Sequence, residues 1–540
     1  MILSLILLCL GLTIINVTAE GKLVVCYYGT WATYRNGLGQ FNVEHVDPHL
    51  CTHLIYTFVG IDNHGNVKSL DPWLDLPDNW GRNNFGKFND LKKINPKLKT
   101  ILAVGGWNEG SAKYSVMAAD PSKRKNFVSS ALTMIRTHGF DGFDMDWEYP
   151  NQRDTVHGKA DIDNFTTLLK ELKAAFEPYG LLLTAAVAAV EKSASLSYDI
   201  PAISKYLDFI SIMAYDLYGA WDPVTGHNAA LHVSQGDEGK DPESLYTVDG
   251  ALRYWLREGC PPEKLVLGLP FYGRTFTLVD PNQNGVRAPS SGEGIAGPYT
   301  ATGGFIGYNE LCSRMLTESW DVRFDELGRV PYAVQGRNWV SYDDPESLIE
   351  KLSYGAKYGI GGYMVWSIET DDFHGICHEE TFPLLNAVNR AANEPTSPVL
   401  PSTTKTPELP TTTKSPDSTV TTTTLPLCPT TSRTTTTTPP PTQAPTTTST
   451  QPPTTTSTPI NRPTTWTPAP TSPSTPADTD SSVCKEPGFA SNPKDCSSFF
   501  ICVDLGYGDL HPHKFHCPNN LHWNADGLFC DFPSYANCSV

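Results

Sequence analysis

Asp141-Gly142-Phe143-Asp144-Met145-Asp146-Trp147-Glu148 alternates acidic and apolar residues with a period of two. That period belongs to a β-strand, where successive side chains point to opposite faces and like-facing residues stand about 6–7 Å apart. Asp144, Asp146 and Glu148 then share one face, with Glu148 nearest the C-terminal end. Phe143, Met145 and Trp147 face the other way, toward helices. Asp141 has the opposite parity to the three carboxylates and is read as a turn residue.

This segment is the fourth of eight similar runs. The others are Leu23–Tyr28, His53–Val59, Thr100–Gly105, Leu181–Val187, Phe209–Tyr215, Leu265–Pro270 and Gly362–Ser367, with Gly142–Trp147 completing the set. Helical periodicity falls between them. Lys123–His138 places Phe127, Ala131 and Ile135 on one stripe, and Asp161–Phe176 does the same with Phe165, Leu168, Leu169, Leu172 and Phe176. Tyr246–Glu258 and Pro345–Tyr358 repeat the pattern. Apolar strands alternating with helices imply a parallel sheet covered on both faces. Eight such units predict an α/β fold of the (β/α)8 TIM-barrel type. A Gly- and Pro-rich stretch, about 274–342, reads as an α+β insertion between strands 7 and 8. A doubly wound sheet would want a Gly-rich phosphate turn after the first strand, where this chain has Tyr28-Gly29-Thr30-Trp31.

In such a barrel the reactive mouth lies at the C-terminal ends of the strands, where Glu148 sits. Three neighbouring carboxyls cannot all ionise cheaply, so protons are shared and at least one pKa rises. A carboxyl held protonated near neutral pH is a general acid. Calcium or magnesium ligands sit on loops that wrap the ion, which a straight i, i+2, i+4 ladder cannot do. Acid–base chemistry without a metal or cofactor is the expectation.

The remaining composition divides the chain. Forty Lys and Arg against 58 Asp and Glu give a net charge of −18, the wrong sign for a sequence-independent nucleic-acid binder. Residues 1–19 combine an apolar run with Val17-Thr18-Ala19, which predicts a cleaved signal peptide, secretion and no membrane anchor. Residues 20–394 hold the barrel. Residues 395–482 are almost all Thr, Pro and Ser, a composition that cannot bury enough apolar surface to order itself and reads as a disordered, extended linker. Residues 483–540 form a small disulfide-rich β module with six cysteines, Cys484, Cys496, Cys502, Cys517, Cys530 and Cys538. So short a chain needs three disulfides in place of a large core, and it lacks the C-x2-C pair of a zinc site. Several of its aromatics, Phe499, Phe500, Phe515, Trp523, Phe529 and Tyr535, must form its core, which leaves one or two as candidates for exposed stacking. Asn164 and Asn537 open glycosylation sequons.

Asp141 to Glu148 matches the DxxDxDxE signature of family 18 glycoside hydrolases, the chitinases and their lectin-like relatives. The likeness extends through Lys22–Trp31, Cys51–Tyr56, Ala103–Asn108, Met213–Asp216, Gly268–Arg274 and Gly362–Trp366. The C-terminal module resembles a peritrophin-A-type chitin-binding domain, and the whole is similar to secreted arthropod chitinases. The resemblance implies roles. Glu148 protonates the glycosidic oxygen and later activates water, Asp146 holds the substrate's acetamido N–H, Asp144 shares its proton, and Tyr215 steadies the acetyl oxygen. The N-acetyl carbonyl is then the nucleophile, an exception to the two-carboxylate scheme that retains configuration.

The same resemblance makes Trp366 the floor under the reacting sugar, with Trp31, Trp107 and Trp221 along the groove. Tyr27, Phe58, Asn108, Tyr149, Met213, Asp216 and Arg274 fall at other groove positions. It also pairs Cys26 with Cys51 and Cys312 with Cys377, leaving Cys260 and Cys428 unassigned. The partners implied are chitin and chitooligosaccharides, acted on by a monomer. The alternatives are a catalytically weak chitin-binding lectin on the same barrel and an endo-β-N-acetylglucosaminidase acting on N-glycans.

Overall fold

The structure, a computed structural model, describes residues 21–237, 239, 246–393, 484, 488–504, 510–517, 522–524 and 529–531. Residues 1–20, where the sequence predicts a signal peptide, the Thr/Pro/Ser-rich stretch with Cys428, and Cys538 and Asn537 lie outside the described residues. The barrel region and the C-terminal module form separate units and are described separately.

All eight strands form: β1 Leu23–Gly29, β2 His53–Ile61, β3 Lys99–Gly105, β4 Gly142–Asp146, β5 Leu182–Ala188, β6 Phe209–Met213, β7 Leu265–Pro270 and β8 Gly362–Trp366. Each pairs in parallel with its sequence neighbours, and β1 pairs with both β2 and β8, which closes the barrel. Several ends shift by one or two residues from expectation, and two of these shifts bear on the site. β4 stops at Asp146 and β6 at Met213, so Trp147, Glu148 and Tyr215 stand just past the ladder.

Period-two alternation positions the core. On β4, Phe143 meets Phe127 and Phe176 edge-on at 5.9 and 6.3 Å, so the apolar face packs on the flanking helices. On β2, Tyr56 does the same against Phe85, Phe88 and Phe140. Burying one such ring stabilises the fold by roughly 1.5–3 kcal/mol. Helix Pro121–His138 starts at Asp120, whose carboxylate accepts from Ser122 and Lys123 amides, and has proline at its first position. It ends at Gly139, whose φ of 81° is open to glycine at no steric cost. Helix Ala160–Phe176 buries the predicted stripe of Phe165, Leu168, Leu169, Leu172 and Phe176. Among the described residues no helix is long and apolar enough to cross a membrane.

The insertion begins immediately after β7. Strands Tyr272–Leu278, Ser290–Glu293, Phe305–Gly307, Asp321–Asp325, Val330–Gln335 and Asn338–Ser341 form an antiparallel sheet, accompanied by helix Tyr308–Thr317. Phe276, Leu278, Tyr332, Val334 and Trp339 give it a small core of its own. Disulfides join Cys26 to Cys51 and Cys312 to Cys377. Cys260 is buried and reduced.

In the C-terminal module, strands Gly488–Ser491, Ser498–Asp504 and Leu510–His516 form one antiparallel sheet, and His522–Asn524 pairs with Phe529–Asp531. Phe499, Phe500 and Trp523 are buried, and the Phe499 and Trp523 rings stack at 4.2 Å. These aromatics are core. Cys484 is bonded to Cys502, and Cys496 and Cys517 are also in disulfides. The side chains of Phe515, Phe529 and Cys530, and the whole of Tyr535, are not among those described.

Candidate active site

The carboxylates of β4 point into the barrel, as the alternation requires. Asp144 and Asp146 are buried, and Glu148 is partly exposed at the mouth. Asp144 lies deepest and accepts hydrogen bonds from the Thr184 hydroxyl on β5 and from the Tyr27 hydroxyl, 2.8 Å away on β1. Burial pushes its pKa up to about 6, and these two donors limit the rise. Asp146 is raised well above the usual carboxylate range by burial, with the charges of Glu148 and Asp144 adding to it. Its Oδ1 is buried and has no hydrogen-bond partner among the described residues. Glu148 rises from 4.5 to about 7, mainly through burial, with Asp216 adding to the rise and Tyr149 and Arg153 opposing it. Protons therefore stay on this ladder into neutral pH. Asp141, outside it, accepts from Thr100 and pairs with Lys92, the turn role its parity predicted.

The bend between β3 and its helix is shaped around Asp146. The Gly106 amide donates to the Asp146 carbonyl at 2.8 Å. A Cβ on Gly105 would lie 2.0 Å from that carbonyl oxygen, and Gly105 has φ +116°. Only glycine fits there.

Tyr215 stands beside the ladder. Its hydroxyl is within 3.8 Å of Met364 Sδ, and the charges of Asp146, Asp216, Glu148 and Asp144 all act on it, after burial, to raise its pKa. Met213, at the end of β6, is partly buried at the same level. Asp216 is exposed, with φ 55°, and is gripped by Arg274 at 2.7–2.8 Å and by the Tyr272 hydroxyl at 2.5 Å.

Aromatic rings surround this centre. Trp366 ends β8 and is packed by Tyr27, Trp31 and Phe58 at centroid distances of 5.5, 6.1 and 5.9 Å. Trp31 stacks on Phe58 with an interplanar angle of 15°. Trp31, Trp107 and Trp221 are 42, 59 and 61 % exposed, too open to be core side chains. The Arg274 guanidinium lies 5.0 Å from the Trp221 ring. Asn108 is exposed beside Trp107, and Tyr149 is partly buried beside Glu148. Tyr27 differs from its expected place in the groove: it is 1 % exposed and lies under the floor, bonded to Asp144.

Three contributors were not read from the sequence. Thr184 holds Asp144. Glu369, fully buried, accepts from the Gly29 amide and the Ser367 hydroxyl and so ties the ends of β1 and β8 together. Arg153 bridges the loops that carry Trp107 and Glu148. Parity places Thr184 on the inner face but does not name its partner, and the other two act through loops without periodicity. Asn164 lies on helix Ala160–Phe176, half-buried.

Residues 23–371 match the glycosyl hydrolases family 18, and residues 484–538 match the chitin binding peritrophin-A domain. The chain is 43 % identical over 384 residues to probable chitinase 2 of Drosophila melanogaster, covering 68 % of this chain and 77 % of that protein. It is 42 % identical to chitotriosidase-1 of Mus musculus, with 69 and 78 % covered. The Ostrinia furnacalis group IV chitinase solved in complex with allosamidin superposes with a TM-score of 0.67 and 57 % identity, covering 68 % of this chain and 98 % of that one. An eight-stranded barrel with this carboxylate ladder and these matches belongs to glycosyl hydrolase family 18, joined in one chain to a peritrophin-A chitin-binding domain.

Proposed function

We propose that the protein is a secreted chitinase, cleaving β-1,4 bonds between N-acetylglucosamine units by a retaining, substrate-assisted route. The observation that carries this reading is the ladder itself: Asp144 and Asp146 buried in the barrel beneath Glu148 at the mouth, where burial raises the acid's pKa to about 7. Glu148 gives its proton to the glycosidic oxygen as the bond to C1 breaks. The acetamido oxygen of the same sugar attacks C1 and forms an oxazolinium ion. Asp146 Oδ1, buried and unpaired among the described residues, is the acceptor for the acetamido N–H, which aims that oxygen. Asp144 shares charge with Asp146 from below, and the Tyr215 hydroxyl donates to the acetyl oxygen. Glu148, now a carboxylate, takes a proton from water as the water oxygen bonds to C1; the C1–O bond of the oxazolinium breaks, the acetamido group is restored, and configuration is retained overall. An internal nucleophile of this kind reaches an effective molarity of about 10⁵ M or more.

Trp366 supports the reacting sugar, while Trp31, Trp107 and Trp221 present flat faces to the C–H surfaces of its neighbours. Disulfides in both units suit an oxidising, extracellular compartment. We assign 20–394 to catalysis, 395–482 to a tether and 483–540 to anchoring on chitin. The likeness of both units to chitin-directed families supports chitin over N-glycans as substrate. The test is the acetyl requirement. Acetylated chitooligosaccharides should be cleaved with the β-anomer appearing first by NMR, and fully deacetylated chitosan should resist. Rapid cleavage of the deacetylated polymer, or an initial α-anomer, rules the mechanism out.

A further inference from the structure

Arg153 occupies a loop position that nothing in the chemistry above requires. Its guanidinium carbon lies 3.7 Å from the centroid of the Trp107 ring. One nitrogen, Nη1, donates to the carbonyls of both Trp107 and Glu148 at 3.0 Å. A single planar cation thus covers one face of an indole and ties that residue's backbone to the acid's. Trp107 is 59 % exposed, which leaves its other face open to the groove.

The loop around Arg153 is held from both sides. Asn151 donates its amide to Asp161 and its side chain to the Leu196 carbonyl. Gln152 donates to Ser197 at 2.6 Å, and Asp154 accepts from the Ser111 amide at 2.8 Å. Ser111 in turn accepts from the Trp147 indole and donates to the Tyr149 carbonyl. Both Asn151 and Arg153 have left-handed backbones, with φ of 61° and 60°, which L side chains disfavour.

We propose that Arg153 is a positioning residue that clamps the Trp107 platform to the backbone of Glu148. A sugar stacked on Trp107 then presses on the same rigid unit that carries the acid. Lysine cannot replace it, because an ammonium is not flat and cannot cover the indole face as the planar guanidinium does while it holds both carbonyls. The guanidinium charge also helps keep the Glu148 proton labile, since it opposes the rise in that group's pKa. This inference rests on the chitooligosaccharide reading of the groove.

The experiment is calorimetric titration of an N-acetylglucosamine hexamer into Glu148→Gln protein, alone and combined with Arg153→Ala, Arg153→Lys, Trp107→Ala, and Arg153→Ala with Trp107→Ala. Arg153→Ala should weaken binding about three- to tenfold, in line with one cation–π contact. The Arg153→Ala/Trp107→Ala pair should bind no more weakly than Trp107→Ala alone, and Arg153→Lys should not restore affinity. Additive losses, unchanged affinity in Arg153→Ala, or full rescue by lysine would overturn the clamp. Failure of the Glu148→Gln parent to bind the hexamer would overturn the substrate reading and the clamp with it. In the active enzyme, Arg153→Ala should move the basic limb of the kcat profile to higher pH and Arg153→Lys should leave it in place. An unmoved limb in Arg153→Ala contradicts the link to Glu148.

Discussion

The Tyr27 hydroxyl on β1 donates to Asp144 Oδ2 on β4 at 2.8 Å, through the barrel interior and between strands that are not neighbours. With the Thr184 hydroxyl it holds the deepest carboxylate of the ladder from two sides. Tyr27→Phe removes a donor that favours ionised Asp144, so that pKa should climb further above 6. Because Tyr27 lies beneath the groove, kcat should fall about tenfold, or ~1.4 kcal/mol, with little change in KM. Steady-state kinetics on a soluble oligomer would check it, and a change confined to KM would contradict it.

The pH dependence follows from the sign of the Glu148 shift. The acid works only when protonated, and burial holds its pKa at about 7 rather than 4.5. The kcat profile should therefore hold at mildly acidic pH and decline through about 7. A basic limb near 4.5 would mean that the acid is not buried in the working enzyme.

The same shift bears on stability. A folded-state pKa above the unfolded one means that burial of Glu148 costs nothing below about 4.5, costs more as pH rises, and costs its full amount above about 7. That full cost is roughly 3 kcal/mol by the pKa conversion. Glu148→Gln should therefore raise Tm at pH 8 and leave it unchanged at pH 4. Thermal melts at the two values decide the matter, and an equal change at both would show that the effect is not ionisation.

The anchoring module has its own signature. Linking two sites makes each re-encounter intramolecular, but only on a surface with many sites in reach. Deleting 482–540 should cut activity on insoluble chitin severalfold and leave short soluble oligomers unaffected. Equal damage to both substrates would make the module a structural part of the barrel.

Much of this was legible in the sequence, for physical reasons. The barrel strands show because each is enclosed on both faces, so apolar runs and the period-two ladder of Asp144, Asp146 and Glu148 survive in the residue pattern. The insertion shows through its glycines and prolines. Depth does not. Parity puts Tyr27 on the inner face of β1, yet only the closed barrel reveals that it reaches Asp144 instead of lining the groove. Arg153 and Glu369 escaped because each sits outside the strands and reaches a group far off in the sequence, Trp107 for one and the Gly29 amide for the other, which leaves no periodic trace in one chain.

The most direct test of the central claim is turnover by Glu148→Gln on insoluble chitin and on a soluble hexamer, with affinity measured in parallel. The amide keeps the shape of the carboxylic acid and loses the transferable proton. The account predicts that hydrolysis is abolished while oligosaccharide affinity stays within about tenfold of wild type. Near-normal turnover in that variant would contradict it.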